Sequence, residues 1–114
     1  MADAEFRTYD QTKRVEMFPG VVRHTLAVGD RITLVRIDLD EGAVVPEHSH
    51  MHEQSGTLIS GRMLLRIGTE ERELGEGASY LIPGDAPHYV KALAPCVLVE
   101  VFSPAREDFK AADA

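Results

Sequence analysis

Val35-Arg36-Ile37-Asp38-Leu39-Asp40-Glu41-Gly42 alternates aliphatic with charged residues and then breaks at an acidic-glycine turn. Successive side chains of a strand point to opposite faces, so this stretch predicts a strand with one face buried and one in water. Met63, Leu65 and Ile67 repeat the pattern against Arg62 and Arg66, between Gly61 and Gly68. Further strands are expected over Val21 to Val28, Glu53 to Ser60, Arg72 to Leu74, Ser79 to Ile82, His88 to Ala92 and Cys96 to Phe102. Helical periodicity is nearly absent. Many short strands with closely spaced turn signals predict an all-β sandwich or barrel. Gly42, Gly61, Gly68, Gly75 and Gly77 fall at the predicted turns, where a positive φ is often required.

Cys96 to Phe102 stands apart from the other strands. Alternation places Val97, Val99 and Val101 on one face and Leu98, Glu100 and Phe102 on the other. Both faces are largely apolar, which predicts a strand covered on both sides. One of those faces then carries the Glu100 carboxylate, which is costly to bury without a partner. Beyond Pro104 the alanine-rich tail, 104–114, reads either as a helical turn or as disorder. Cys96 and Met63 read as buried, Met51 as a rim residue and His24 as exposed.

The 114 residues, 44% of them hydrophobic, fit one domain over 1–114. The chain carries 19 acidic and 12 basic residues, a formal charge of -7, and its lysines and arginines are scattered. Nothing neutralises a phosphate backbone, so no nucleic-acid partner is expected. Apolar runs fall far short of the ~20 residues of a membrane span, so no membrane partner is expected either. Met1 to Glu5 holds two acids and no apolar core of a secretory signal. The single Cys96 excludes an intramolecular disulfide and fits a reducing cytoplasm.

Chemistry concentrates in Glu47-His48-Ser49-His50-Met51-His52-Glu53-Gln54 and in Pro83-Gly84-Asp85-Ala86-Pro87-His88. A metal site needs several neutral imidazoles converging on one point. Residues two apart on a strand share a face, so His48 and His50 are able to grip one ion together. Fully extended, Gln54 would lie about 20 Å from His48, so it joins the same ion only if the chain bends after His50. Glu53 or His52 could be the ligand instead, since such a motif tolerates slippage by one. His52 reads equally as a substrate-facing group or as an exposed rim residue.

These two segments resemble the paired motifs of the cupin superfamily. The first, G-x5-H-x-H-x3or4-E-x6-G, matches Gly42, His48, His50, Gln54 and Gly61; the second, G-x5-P-x-G-x2-H-x3-N, matches Gly77, Pro83, Asp85, His88 and Ala92. Gln54 replaces the glutamate, Asp85 the glycine and Ala92 the asparagine. The resemblance covers residues 30–102 and implies an antiparallel jelly-roll barrel, or double-stranded β-helix, with a divalent ion inside. The ion could be Zn, Ni, Fe, Mn or Cu. A neutral amide at Gln54 would leave a divalent ion its full charge and favour Lewis-acid chemistry over redox chemistry. Small cupins commonly pair, so the resemblance also implies a homodimer.

His48-Ser-His-Met-His-Glu-Gln54, with Glu100-Val-Phe-Ser-Pro-Ala-Arg-Glu-Asp-Phe109 downstream, is similar to the pectin-degradation cupins of the KdgF type, which linearise unsaturated uronates. That resemblance implies His48, His50, Gln54 and His88 as metal ligands. It implies Glu100 and Arg106 as catalytic groups, and Phe102, Arg106 and His52 as contacts to a small carboxylated substrate. The family has aspartate where this chain has Glu100, one methylene longer. From the residues alone, Glu100 is either a barrel-lining acid/base or a surface glutamate. Arg106 is either a bidentate grip on a carboxylate or a tail arginine paired with Asp108, and Phe102 is plain core. Two other functions fit the same ligands: a polyketide-cyclase-like cupin, mildly disfavoured by 6% aromatics and no Trp, and a non-catalytic metal-dependent binding module.

Overall fold

The computed structural model describes residues 3–114, so the readings that involve Met1 and Ala2 lie outside the described residues. The strands are β1 (Arg14–Phe18), β2 (Val21–Val28), β3 (Thr33–Leu39), β4 (Val44–His48), β5 (Glu53–Ser60), β6 (Arg62–Ile67), β7 (Glu70–Gly75), β8 (Ser79–Ile82), β9 (His88–Ala92) and β10 (Cys96–Ser103). A short helix, α1 (Glu107–Ala112), follows. One sheet runs β1-β2-β3-β10-β5-β8 and the other β4-β9-β6-β7, with antiparallel neighbours throughout. The fold is the expected all-β jelly roll. No helix among the described residues is long and apolar enough to cross a membrane.

The alternation that begins at Val35 sets the core. In β3, Thr33, Val35, Ile37 and Leu39 are buried while the residues between them are half-exposed. Cys96, Leu98, Glu100 and Phe102 of β10 are buried beside them, with Glu100 opposite Val35 and Leu98 opposite Ile37. Leu58, Met63 and Leu65 close the core from β5 and β6. Leu58 is wholly shielded from solvent. Leu58→Ala is therefore expected to cost about 2–5 kcal/mol, read as a lower denaturation midpoint at unchanged slope. No shift in that midpoint would mean that the two sheets are not packed through this residue.

Several expectations are corrected. The outer face of β10 (Val97, Val99, Val101) is only half-buried, so the strand is fully covered on one side and not on both. His24 is buried, because the N-terminal segment folds across β2. The Tyr9 ring lies 4.6 Å from the His24 ring, and Thr12 Oγ1 is 2.8 Å from its Nδ1. Strands β1 and β4 form without an alternating pattern to announce them. Pro46 in β4 is tolerated because β4 is an edge strand, where a missing backbone donor breaks no ladder bond. Gly42, Gly61, Gly68 and Gly77 take positive φ, whereas Gly75 ends β7 without it. Gly61 is also required for space: a Cβ there would stand 2.2 Å from the Pro95 carbonyl oxygen.

The tail is ordered into α1 and docks on the barrel. Arg23, a core arginine only 2% exposed, donates to Asp113 at 2.9 Å and to Thr25, and its guanidinium lies 4.1 Å from the Phe109 ring centroid. Phe109 is itself buried, edge-on to Phe102 at 5.7 Å. The helix thus covers one side of the barrel interior.

Candidate metal centre

The two histidine segments meet because strands and loops from distant stretches register against each other. His48, the last residue of β4, pairs directly across the sheet with His88, the first residue of β9, and their rings are 4.2 Å apart. The chain leaves the strand at His48 and bends through residues 49–52 before β5 begins. His50 therefore sits on a loop, and that bend carries Gln54 back toward it. The loop before His88 locks onto this bend: the Asp85 backbone N–H donates to the His50 carbonyl at 2.7 Å. A Cβ on Gly84 would approach the Met51 carbonyl oxygen to 2.6 Å, so the contact demands glycine. Asp85 has φ of 66°, which explains why the motif places glycine there and why a short polar residue can replace it.

Each histidine is oriented by the main chain. The Nδ1–H groups donate to the carbonyls of Pro46 (2.9 Å, from His48), His52 (3.1 Å, from His50) and Ala86 (2.8 Å, from His88). A carbonyl only accepts, so these bonds fix the tautomer and leave each neutral ring with an Nε2 lone pair. Burial pulls the pKa of His50 and of His88 below the ordinary imidazole value, favouring that neutral form. The ligating atoms of His48, His50 and His88 lie within 4.8 Å of one another. Nε2 of His88 is buried with no hydrogen-bond partner among the described residues.

Gln54 lies against this group. Its Oε1 lies 3.1 Å from Nε2 of His50, and its Nε2 donates to Glu100 Oε2 at 2.6 Å. With His50 donating through Nδ1, the 3.1 Å contact sets a lone pair against a lone pair. A cation held by these residues would relieve that repulsion and would also take up the orphaned His88 nitrogen. Three neutral imidazoles and an amide oxygen, with outer hydrogen bonds already in place, fit a divalent transition metal.

Around this point lies a cavity of about 140 Å3, largely apolar, into which Gln54, Glu100, Phe102 and Arg106 project. Glu100 is buried, and burial raises its pKa against the opposing pull of hydrogen bonds from Tyr80 and Gln54. Tyr80 donates its hydroxyl to Glu100 Oε2 at 2.6 Å. Burial first, and then the nearby carboxylate, push the Tyr80 pKa well above the usual phenol value, so it stays a donor. Arg106 lies 4.8 Å over Phe102 and 3.8 Å over Phe109, and forms a two-point pair with Asp108 at 2.9 and 2.7 Å. That pair holds the Asp108 carboxyl down to about 2. Arg106 is thus both paired with Asp108 and part of the cavity wall.

His52 stands apart from the three converging imidazoles. Its ring is edge-on to Phe102 at 6.5 Å, its Nδ1 is buried without a partner, and its backbone carbonyl steers His50. Glu53 is exposed while Gln54 is buried. Tyr80 and Phe109 carry site contacts that sequence reasoning did not assign. A mid-strand glycine at position 56, directly opposite Tyr80, was the available signal for the first.

Residues 35–102 match the Cupin domain family. An RmlC-like cupin from Shewanella frigidimarina is 28% identical, with a TM-score of 0.88 over 94% of this chain and 96% of that one. KdgF from a Halomonas species is also 28% identical, with a TM-score of 0.87 over 94% of this chain and 99% of that one. A Bacillus subtilis oxalate decarboxylase variant, 20% identical with a TM-score of 0.77 over 86% of this chain and 29% of that one, shares the fold. No match is found among curated proteins.

Proposed function

This chain belongs to the cupin domain family, and from that premise we propose that it is a metal-dependent lyase or isomerase acting on a small carboxylated sugar. The sharpest form of the proposal is the linearisation of a 4,5-unsaturated uronate. The observation that carries it is the joining of Gln54, the amide facing the three histidines, to the buried Glu100 in one hydrogen-bonded unit on the cavity wall. Similarity to KdgF along nearly the whole of both chains supports the same reading.

A divalent ion held by His48, His50, His88 and Gln54 would supply Lewis-acid polarisation of substrate oxygens. The chain's own groups account for the rest. Glu100 Oε2 receives both Tyr80 and Gln54, so Oε1 is the oxygen free to meet a substrate among the described residues. That oxygen would take the proton of the C1 hydroxyl as the C1–ring-oxygen bond breaks, giving the aldehyde and the C5 enolate. Returning a proton to C4 gives the linear 4-deoxy-5-keto acid, with nothing gained or lost overall. Arg106 supplies positive charge at the cavity for the substrate carboxylate, in a chain of net charge -7. The cavity lies below the roughly 300–1,000 Å3 of drug-sized sites, which favours a single sugar ring over a polyketide.

The test is to load the protein with Zn2+, Ni2+ or Mn2+ in turn and supply unsaturated galacturonate, following loss of the conjugated-ene absorbance. Faster decay than in buffer with metal is expected. No acceleration by any loaded form would remove this substrate, and tight binding without turnover would make the protein a binding module.

A further inference from the structure

Three neighbouring strands, β10, β5 and β8, place Glu100, Gly56 and Tyr80 in one row across the sheet, each directly opposite the next. Two strand spacings separate the outer Cα atoms by roughly 10 Å, too far for most side-chain pairs. The gap closes only because the middle position is empty. Tyr80 stretches across Gly56, and a Cβ on that glycine would stand 2.5 Å from the Tyr80 hydroxyl and 2.9 Å from Glu100 Cγ. The phenol thereby reaches Glu100 Oε2, the same oxygen that holds the Gln54 amide N–H.

Building on the metal-site reading above, we propose that Tyr80 is a positioning residue, which acts across Gly56 to clamp Glu100 so that the Gln54 amide keeps its oxygen toward the three histidines. A metal binds only the oxygen end of an amide, but before it arrives the side chain has no preference of its own for which end faces the histidines. Glu100 supplies one, because an ionised carboxylate accepts only and draws the NH2 end. A carboxylate free to rotate about its last torsions would let Gln54 turn with it. Tyr80 removes that freedom by holding the same oxygen that Gln54 holds, and the glycine between Tyr80 and Glu100 is what makes room for the clamp. The chain thus sets a metal-facing oxygen from the neighbouring strand, by way of Glu100 two strands from Tyr80.

Tyr80→Phe keeps the ring and removes the hydroxyl, so the barrel should keep its thermal midpoint within a few degrees. Co2+ affinity, measured by competition with a chromophoric chelator, is expected to fall about 10-fold, with a changed visible spectrum of the Co2+ form. Gly56→Ala, which drives the hydroxyl off its seat, should reproduce the altered spectrum. In a Glu100→Leu background the clamp has nothing to hold, so adding Tyr80→Phe should cause no further loss. Unchanged affinity and spectrum in Tyr80→Phe, or additive losses in the double variant, would overturn the assignment. A fall in thermal stability at constant affinity would overturn it as well, leaving Tyr80 a packing residue. These readouts need no uronate: if wild type binds Co2+ and Tyr80→Phe weakens it while unsaturated galacturonate is untouched, the substrate reading falls and the clamp stands.

Discussion

His88→Ala is expected to abolish tight metal binding, and with it the proposed uronate turnover, while leaving a folded barrel. His88 is the first residue of β9, it pairs with His48 across the sheet, and its Nε2 is buried without a partner. Removing it takes away one of three imidazoles and the only one that comes from the second motif. Outer hydrogen-bond partners of a metal commonly matter by 10- to 100-fold, so loss of a direct ligand should exceed about 100-fold. The clearest readout is thermal. Wild type at a metal concentration near 100 times its Kd gains about 2.7 kcal/mol, several degrees for a domain of this size. His88→Ala should show no metal-dependent rise. The metal-free proteins should differ less, since the orphaned Nε2 leaves with the ring and the losses are one hydrogen bond to the Ala86 carbonyl and a small cavity. Wild-type affinity in His88→Ala would show that the ion, if any, is held elsewhere.

Glu100→Gln tests the chemistry rather than the site. An amide at position 100 still offers an oxygen to Tyr80 and Gln54, so metal affinity should stay within about 10-fold of wild type. It has no exchangeable proton of suitable acidity, and turnover should drop by about a hundred- to ten-thousand-fold, the usual span for a lost acid/base group. Binding of a substrate-like sugar acid should survive. Full turnover would move the proton transfer to another group. Loss of metal together with turnover would restrict Glu100 to orienting Gln54.

The fold was legible because burial in this chain follows a period of two. Val35, Ile37 and Leu39, and Leu98 with Phe102, all lie on the inward faces that alternation assigns. What was not legible depended on tertiary cover. His24 shares its strand face with Val22 and Leu26, which are only half-buried, and the fold-back of Tyr9 and Thr12 is what shields it. The outer face of β10 looked covered because valine suits a strand whether or not anything packs on it. At the site, the spacing of His48, His50, Gln54 and His88 was visible in the chain. The bend at 49–52 that folds Gln54 back was not, since nothing local marks it except the contact of the 83–87 loop. Tyr80 was passed over because its partner, Glu100, lies two strands away and 20 residues along.

The three imidazoles are aimed by peptide carbonyls at positions 46, 52 and 86, two residues from the ring each one steers. Any amino acid carries a carbonyl, so those three positions are free to drift in side-chain identity without turning a ring, provided the loop path survives. Aim is inherited from the route of the chain. Grafting the centre onto another barrel would therefore mean transplanting two loops intact, whereas copying the four donor side chains alone would leave their rings undirected.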